Sequence, residues 1–381
     1  MKKMTTTLNK TTKQNAITYA IIFACFVFCI IYSGLPSGSS LIKGLFVPIC
    51  AYVIMAMSLN LTVGILGELS LGHAGFMCLG AFVGSTFSML TQESLTSVWV
   101  RFPLAILLGG AVAAVAGILI GIPVLRLKGD YLAIVTLAFG EIIKNIANNI
   151  YLVKDVNGVH FALGVDAYNN MELDDMTAEN IINGAMGITG APRDSNYIVG
   201  FVLVLITLIV ILNLVQSRAG RAIMAIRDNR IAAESIGINI TKYKLIAFSI
   251  SAMFAGMAGV LYGHNLSSLV AVKFDYNLSI LVLVFVVLGG IGSMRGSIIA
   301  AIILTALPEL LRGSFSDYRM LIYAILLIVM MLVNNNENMA MYKERFKSYL
   351  HIGKGGKGGK GSKGGKGGTK AGAEESQEVS A

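Results

Sequence analysis

The sequence predicts an all-α polytopic membrane protein of about ten transmembrane helices, some broken by glycines, with both termini cytoplasmic. Three observations carry this reading. Of 381 residues, 55% are hydrophobic and 13% charged, which leaves too little charge to cover a soluble domain of that size. Apolar runs long enough for a bilayer, which takes about 20 residues, recur along most of the chain. Lysine and arginine are partitioned between alternate connections of those runs, as the positive-inside rule requires.

The runs fall at 17–33, 41–63, 71–91, 102–122, 131–152, 196–216, 244–264, 277–292, 296–312 and 319–333. The first is too long for a usual signal core and has no small-x-small cleavage site before Pro36, so it is expected to remain a span. Cys25, Cys29, Cys50 and Cys78 all lie inside apolar runs, where thiols pack as small apolar groups; neither a disulfide nor a metal site is inferred. Residues 1–16 form a cytoplasmic N-terminal segment, 17–335 the transmembrane domain and 336–381 a cytoplasmic tail.

Lys2, Lys3, Lys10 and Lys13 precede the first span and place the N-terminus in the cytoplasm. The even-numbered connections then hold Arg126 and Lys128, the basic cluster from Arg218 to Lys244, and Arg295, and the tail adds nine more basic residues from Lys343 onward. Together these are 22 of the 30 Lys and Arg. The long opposite-side connection, about 153–195, is acidic by contrast, with Asp155, Asp166, Glu172, Asp174, Asp175, Glu179 and Asp194 against Lys154 and Arg193.

The stretch 58–86, SLNLTVGILGELSLGHAGFMCLGAFVGST, begins as an apolar helix, breaks at Gly64, Gly67 and Gly72, and resumes as a small-residue helix from Gly75. Glu68, Ser70 and His73 sit in or beside the break. Freed backbone groups need partners that lipid cannot supply, so membrane transporters use such breaks to line a path. The competing reading is that the glycines let helices approach closely and Glu68 lies in a short aqueous turn. Charge counting puts the break at the cytoplasmic end of its spans, so Glu68 is not expected to be a midplane ion site.

Span five, GDYLAIVTLAFGEIIKNIANN, carries Thr136, Glu141, Lys144, Asn145 and Asn148. Glu141 and Lys144 stand three apart on one helix face and can pair. Either the pair marks a pathway or Lys144 snorkels to water. The outer connection ends in INGAMGITGAP, whose glycines and proline read as turns capping the outer face. It is either a docking surface for an extracytoplasmic partner or a solvated loop.

The cytoplasmic connection of about 217–243 places Ala222, Ile223, Ala225, Ile226, Ala232, Ala233 and Ile236 at helical spacing, with Arg221, Arg227, Asp228 and Arg230 between them and Gly237 at the close. Such a short amphipathic helix lies on the membrane or docks into a partner's groove. Its small Ala-rich face favours docking, since interfacial anchors use Trp, Phe and Leu. A further glycine break, LGGIGSMRGS, joins spans eight and nine; it does not occupy a place matching the first break, so no internal repeat is inferred. The tail from Gly353 to Gly372 is Lys/Gly-rich and disordered by composition. It lacks aromatic stacking platforms, so nucleic-acid binding is not expected.

No GxxxxGK[ST], HExxH or GxSxG occurs, and His73, His160, His264 and His351 are isolated. No catalytic residue, no metal and no cofactor is expected on this chain. From residue types alone, three classes remain: a permease driven by a partner, a secondary transporter using an ion gradient through Glu68, Glu141 and Lys144, and a structural membrane protein recruiting partners through its basic tail.

Four motifs in order resemble permease subunits of the branched-chain amino acid ABC importers, the LivM-like branch: LNLTVGILGELSLGHAGFMCLGAF (59–82), GDYLAIVTLAFGEIIKNI (129–146), SRAGRAIMAIRDNRIAAESIGI (217–238) and LGGIGSMRGSIIAAIIL (288–304). YRMLIYAILLIVMMLV (318–333) is similar to the family's last span, so the resemblance covers about 40–335. It departs at Asn183 and Ala185 in the outer segment and in the ending after the last span.

The resemblance implies an importer half in a bacterial cytoplasmic (inner) membrane. A second homologous permease, two cytoplasmic ATPase subunits and an extracytoplasmic substrate-binding protein would be its partners. It implies coupling to the ATPase through Arg218, Arg221, Ala225, Arg227, Asp228, Ala232, Ala233 and Gly237. It also favours a gate or packing hinge at the first break, with Ser70, Gly72, His73, Gly75, Thr136 and Glu141 as path or gate residues.

Overall fold

The structure, a computed structural model, describes residues 18–32 apart from 21 and 28, then 40–126, 130–155, 158–170, 179–310, and 321, 324, 325 and 328. These belong to the unit 1–328; the second unit, 329–381, with the Lys/Gly tail, lies outside the described residues. So do the segment 1–16 and most of the span expected at 319–333.

Nine helices among the described residues fall on the expected spans: α1 (Thr18–Tyr32), α2 (Ser40–Asn60), α3 (His73–Leu90), α4 (Val98–Val124), α5 (Asp130–Asn148), α7 (Tyr197–Gln216), α10 (Ile240–Gly263), α11 (Tyr276–Gly289) and α12 (Met294–Leu310). Five are long and apolar enough to cross a membrane, namely α2 with its continuation to Leu66, α3, α4, α7 and α10. α5 is amphipathic, which is why it stands apart from them: Ala133, Thr136, Gly140, Ile143 and Ala147 are buried while Tyr131, Ile134, Ile142 and Ile146 are exposed. Two short helices, α8 (Arg218–Asp228) and α9 (Arg230–Ser235), fill the connection before α10, and α6 (Val165–Asn169) lies in the outer connection.

α10 is the centre of the bundle and packs on α2, α3 and α4. Large apolar side chains alone would hold the helices apart. Glycine lets them close up: a Cβ on Gly80 would overlap the Gly256 backbone, and one on Gly259 the Met77 carbonyl. Phe76, Phe248 and Phe254 fill the space around these contacts. The opposite faces of α4 and α7 expose Leu107, Leu119, Ile122, Val202, Ile206 and Ile209, the pattern of helices that meet lipid rather than water.

The all-α expectation needs a correction in the acidic connection 153–195. Span five ends at Asn148 rather than 152, and β1 (Ile150–Asp155) begins two residues later. β1 pairs antiparallel with β2 (Gly158–Leu163) and with β3 (Glu179–Asn183), giving the order β2-β1-β3. Tyr151, Val153 and Asp155 alternate inward along β1, a period of two that a helical reading of 131–152 hides. A second, two-stranded pairing joins β4 (Ile188–Thr189) to β5 (Ser268–Leu269). The acidic connection is also tied to the bundle, because Asp194 accepts from Arg101 of α4 at 2.5 and 3.1 Å. It is a folded cap.

The connection 217–243 differs from the single helix expected. Asn229 leaves the helical conformation and caps α9 by accepting from Ala232 N–H at 3.0 Å, while Ser217 caps α8 through Gly220 N–H at 3.1 Å. Both are N-cap residues that satisfy first-turn donors.

Candidate functional site

α2 does not stop at Asn60 but runs on as a π-helical turn, Leu61–Leu66. Such wide turns leave carbonyls poorly matched and occur often at functional sites. Gly67 ends the turn in the left-handed region, φ +80°, and Glu68 N–H closes back on the Thr62 carbonyl at 3.1 Å. The chain then crosses 67–72 without regular structure and α3 begins at His73, two residues before the expected Gly75.

The charged groups of this break find partners, while the buried Thr62 hydroxyl has none among the described residues. Glu68 pairs with Lys244 at the start of α10, whose side chain is 5% exposed. Arg227 of α8 donates from Nη1 to the Gly64 carbonyl at 2.9 Å and from Nε and Nη2 to its neighbour Asp228. A Cβ on Gly67 would lie 2.5 Å from Arg227 Cγ, so the arginine stem occupies the space that glycine leaves. The segment expected to couple to a partner thus touches the broken helix directly.

The second glycine break packs against the first. Asn60 Oδ1 accepts from Gly292 N–H at 2.9 Å and Asn60 Nδ2 donates to Ser297 Oγ at 3.0 Å. A Cβ on Gly64 would overlap the Gly292 backbone nitrogen. The two breaks share no sequence repeat, yet they form one junction.

Above the junction, Ser251 Oγ donates to the Ser58 carbonyl at 2.5 Å, and its oxygen faces His73 Nε2 at 2.8 Å. Its single proton being used, the serine accepts, so Nε2 carries hydrogen and Nδ1 faces Ser70 Oγ, 3.3 Å away, as an acceptor. Thr136 Oγ1 accepts from Leu71 N–H at 3.0 Å, and Ser279 Oγ from Ala74 N–H at 3.1 Å. Gly72 abuts the Thr136 carbonyl, and a Cβ on Gly75 would lie 2.7 Å from Gly140 Cα. Ser70, Gly72, His73, Gly75 and Thr136 are therefore one buried, fully occupied node. The Ser70–His73 pair has no carboxylate behind it and no room in front of it for a substrate, so it is not a nucleophile.

Glu141 is not part of that node. It pairs with Lys144, as the spacing suggested, and accepts from Tyr276 N–H at 3.2 Å where α11 begins. Of the coupling candidates, Arg218, Arg221, Arg227, Asp228, Ala232 and Gly237 are exposed and Ala225 is half-buried. Ala233 faces inward, in a cluster with Ile226 and Ile240. Ile231 and Ile236 are instead the outward apolar groups, at 81% and 75% exposure. Sequence reasoning missed Asn60, Ser251 and Ser279, and saw Lys244 and Gly292 only as members of the basic cluster and the second break. An asparagine inside an apolar run and a lysine at the head of one were the available signals. No cluster of three or more His, Cys, Asp or Glu able to hold a metal exists among the described residues.

Both junction and node lie inside the stretch 41–331, which matches the family described as branched-chain amino acid transport system / permease component. The chain belongs to that family. It is 39% identical over 288 residues to the high-affinity branched-chain amino acid transport system permease protein LivM of Salmonella typhimurium, covering 74% of this chain and 66% of the relative. It is 38% identical to LivM of Escherichia coli K12 over the same shares. The chain thus spans just under two thirds of the length of these relatives. The ribose import permease protein RbsC of Escherichia coli K12 is 32% identical over a shorter stretch, 32% of this chain and 40% of that protein. No solved structure matches. A member of this family is the permease component of a transport system. In this permease both glycine breaks and the α8–α9 connection fall within the family's matched region.

Proposed function

We propose that the chain is the transmembrane permease subunit of an ABC importer that moves branched-chain amino acids (leucine, isoleucine, valine) or related small polar solutes inward. ATP would be hydrolysed on partner subunits. The observation that carries the reading is the Arg227–Gly64 bond, which joins the exposed α8–α9 segment to the break in α2. An ATPase seated on Ile231 and Ile236 moves α8 and α9, and Arg227 transmits the shift to the π-helical turn. A gate needs two states that the ATPase binds differently. The interlocked breaks at Gly64 and Gly292 supply a packed element with discrete alternatives rather than a pliable one.

A second homologous permease completes the path. α5 supports this, since its exposed side carries Asn145 beside the half-buried Glu141 and Lys144 and has no partner of its own among the described residues. The path then runs between α5 and the second subunit, with Ser70, Gly72, His73, Gly75 and Thr136 as the packing hinge that positions α5 and α3. The sheet β2-β1-β3 caps the outer face where a substrate-binding protein delivers its load. Both termini are cytoplasmic, the span count is ten, and the complex sits in a bacterial inner membrane.

The ion-coupled alternative is not favoured. Glu68 and Glu141 are each held by a lysine, Lys244 and Lys144, which leaves neither carboxylate open for an ion. Proteoliposomes holding the whole complex decide the matter. Leucine uptake that requires internal ATP, tested against a panel of isoleucine, valine, other neutral amino acids and urea, is expected. Uptake driven by an ion gradient without ATP would overturn the proposal.

A further inference from the structure

We propose that the cavity between α1, α7, α8 and the start of α12 binds a phosphate group, carried by the headgroup of an anionic membrane lipid. The cavity has a volume of about 440 Å³, within the range of small-molecule sites. Two guanidinium groups line it, Arg227 and Arg295. Arg227 is partly neutralised by Asp228. Arg295 is half-buried, donates from Nε to Thr18 Oγ1 at 2.7 Å, and has no carboxylate in ion-pair reach among the described residues. A half-buried charge of that kind calls for a counter-ion. α12 starts at Met294 beside the cavity and adds the positive end of its dipole, although Ser293 Oγ already accepts from Gly296 N–H at 3.4 Å.

Ile65, Leu212, Val215 and Met224 add an apolar wall, and Thr18 and Ser293 add hydroxyls beside the arginines. A free inorganic anion gains nothing from such a wall. A lipid offers its phosphate to the arginines and its glycerol and upper acyl chain to the apolar side. The placement in the cytoplasmic headgroup layer rests on the orientation proposed above. Arg227 belongs both to this cavity and to the bond with Gly64, so an occupied site biases the state of the helix break.

The test uses the assembled transporter in mild detergent, titrated with phosphatidylglycerol, phosphatidylcholine or inorganic phosphate and read by native mass spectrometry. Phosphatidylglycerol should bind, and Arg295→Gln should weaken it about fivefold, the effect of removing one cation near a headgroup. Phosphatidylcholine, whose phosphate is already compensated by its own choline, should change less. Leu212→Trp fills the apolar wall without touching charge and should weaken the lipid but not inorganic phosphate. Should inorganic phosphate bind as tightly as the lipid, with Leu212→Trp affecting neither, the phosphate site stands and the free anion is its ligand. Equal phosphatidylglycerol binding by the parent and by an assembled Arg295→Gln complex overturns the proposal. Labelling of Ser293→Cys from the cytoplasmic side reads orientation separately, so a reversed chain and a missing phosphate site give different results.

Discussion

Arg227 on α8 donates to the carbonyl of Gly64 at 2.9 Å, across 163 positions of sequence. The carbonyl lies in the last turn before Gly67, where the closing carbonyls of a helix have no partner within it. One side chain thus spans the surface connection and the point where α2 loses its register.

Arg227→Ala should therefore cut leucine uptake by at least about tenfold, the weight of one charge-assisted hydrogen bond. The complex should still assemble, with a modest loss of thermal stability because the Gly64 carbonyl loses its partner. Arg227→Lys should rescue little, because one ammonium cannot reach Gly64 and Asp228 with the guanidinium's fork. Parallel measurement of ATP hydrolysis and uptake checks this: hydrolysis retained with uptake lost is the expected pattern.

The junction glycines should separate by mechanism. In Gly64→Ala the new methyl meets the Gly292 backbone and Asn60, rigid groups that cannot swing away, so about 1–3 kcal/mol of overpacking is expected. Gly67→Ala meets the flexible stem of Arg227 but must hold φ +80°, a strain of about 1–2 kcal/mol for an L-residue. Thermal unfolding should show both losses, and both variants should disturb coupling, Gly64→Ala by forcing the two breaks apart and Gly67→Ala by displacing the Arg227 stem.

Glu68 and Lys244 form a pair with side chains 16% and 5% exposed. Lys244→Met alone strands a carboxylate and Glu68→Gln alone strands an ammonium, each costing about 3–5 kcal/mol when burial is complete and less here. The double variant should be more stable than either single one. Denaturation midpoints of the four proteins form the cycle, and additive losses would count against a coupled pair.

The pair Glu93–Lys154 on the outer cap is the contrasting case, at 2.8 Å and open to water. The hydrogen bond and charge of Lys154 hold the Glu93 carboxyl below its ordinary range. A depressed carboxylate pKa adds stability above the unfolded value and loses it as pH falls through the folded one, so the pair's small contribution is present at neutral pH and lost in acid. Glu93→Gln removes that contribution, so it should lower the unfolding temperature slightly at neutral pH, leave the acidic sample unchanged and thereby narrow the difference between them, which a pH series of melting curves will read.

Much of this was legible in the residues. Helices follow from apolar runs, and each run expected within the described residues is one. Glu141–Lys144 followed from their spacing on one face. The strands of the outer cap did not, because a short alternating run such as IYLVKD directly after a helix reads as more helix. The inward turn of Ala233 was equally hidden, since a break at Asn229 resets the helical phase.

By itself, the sequence determined that this chain belongs in lipid, where its helices run, and that two glycine breaks and one basic connection depart from simple spans. Those are local properties, set by hydropathy and backbone freedom. Only the tertiary structure decided that the three departures meet, through Asn60–Gly292 and Arg227–Gly64, because a contact between groups hundreds of residues apart leaves no periodic trace along the chain.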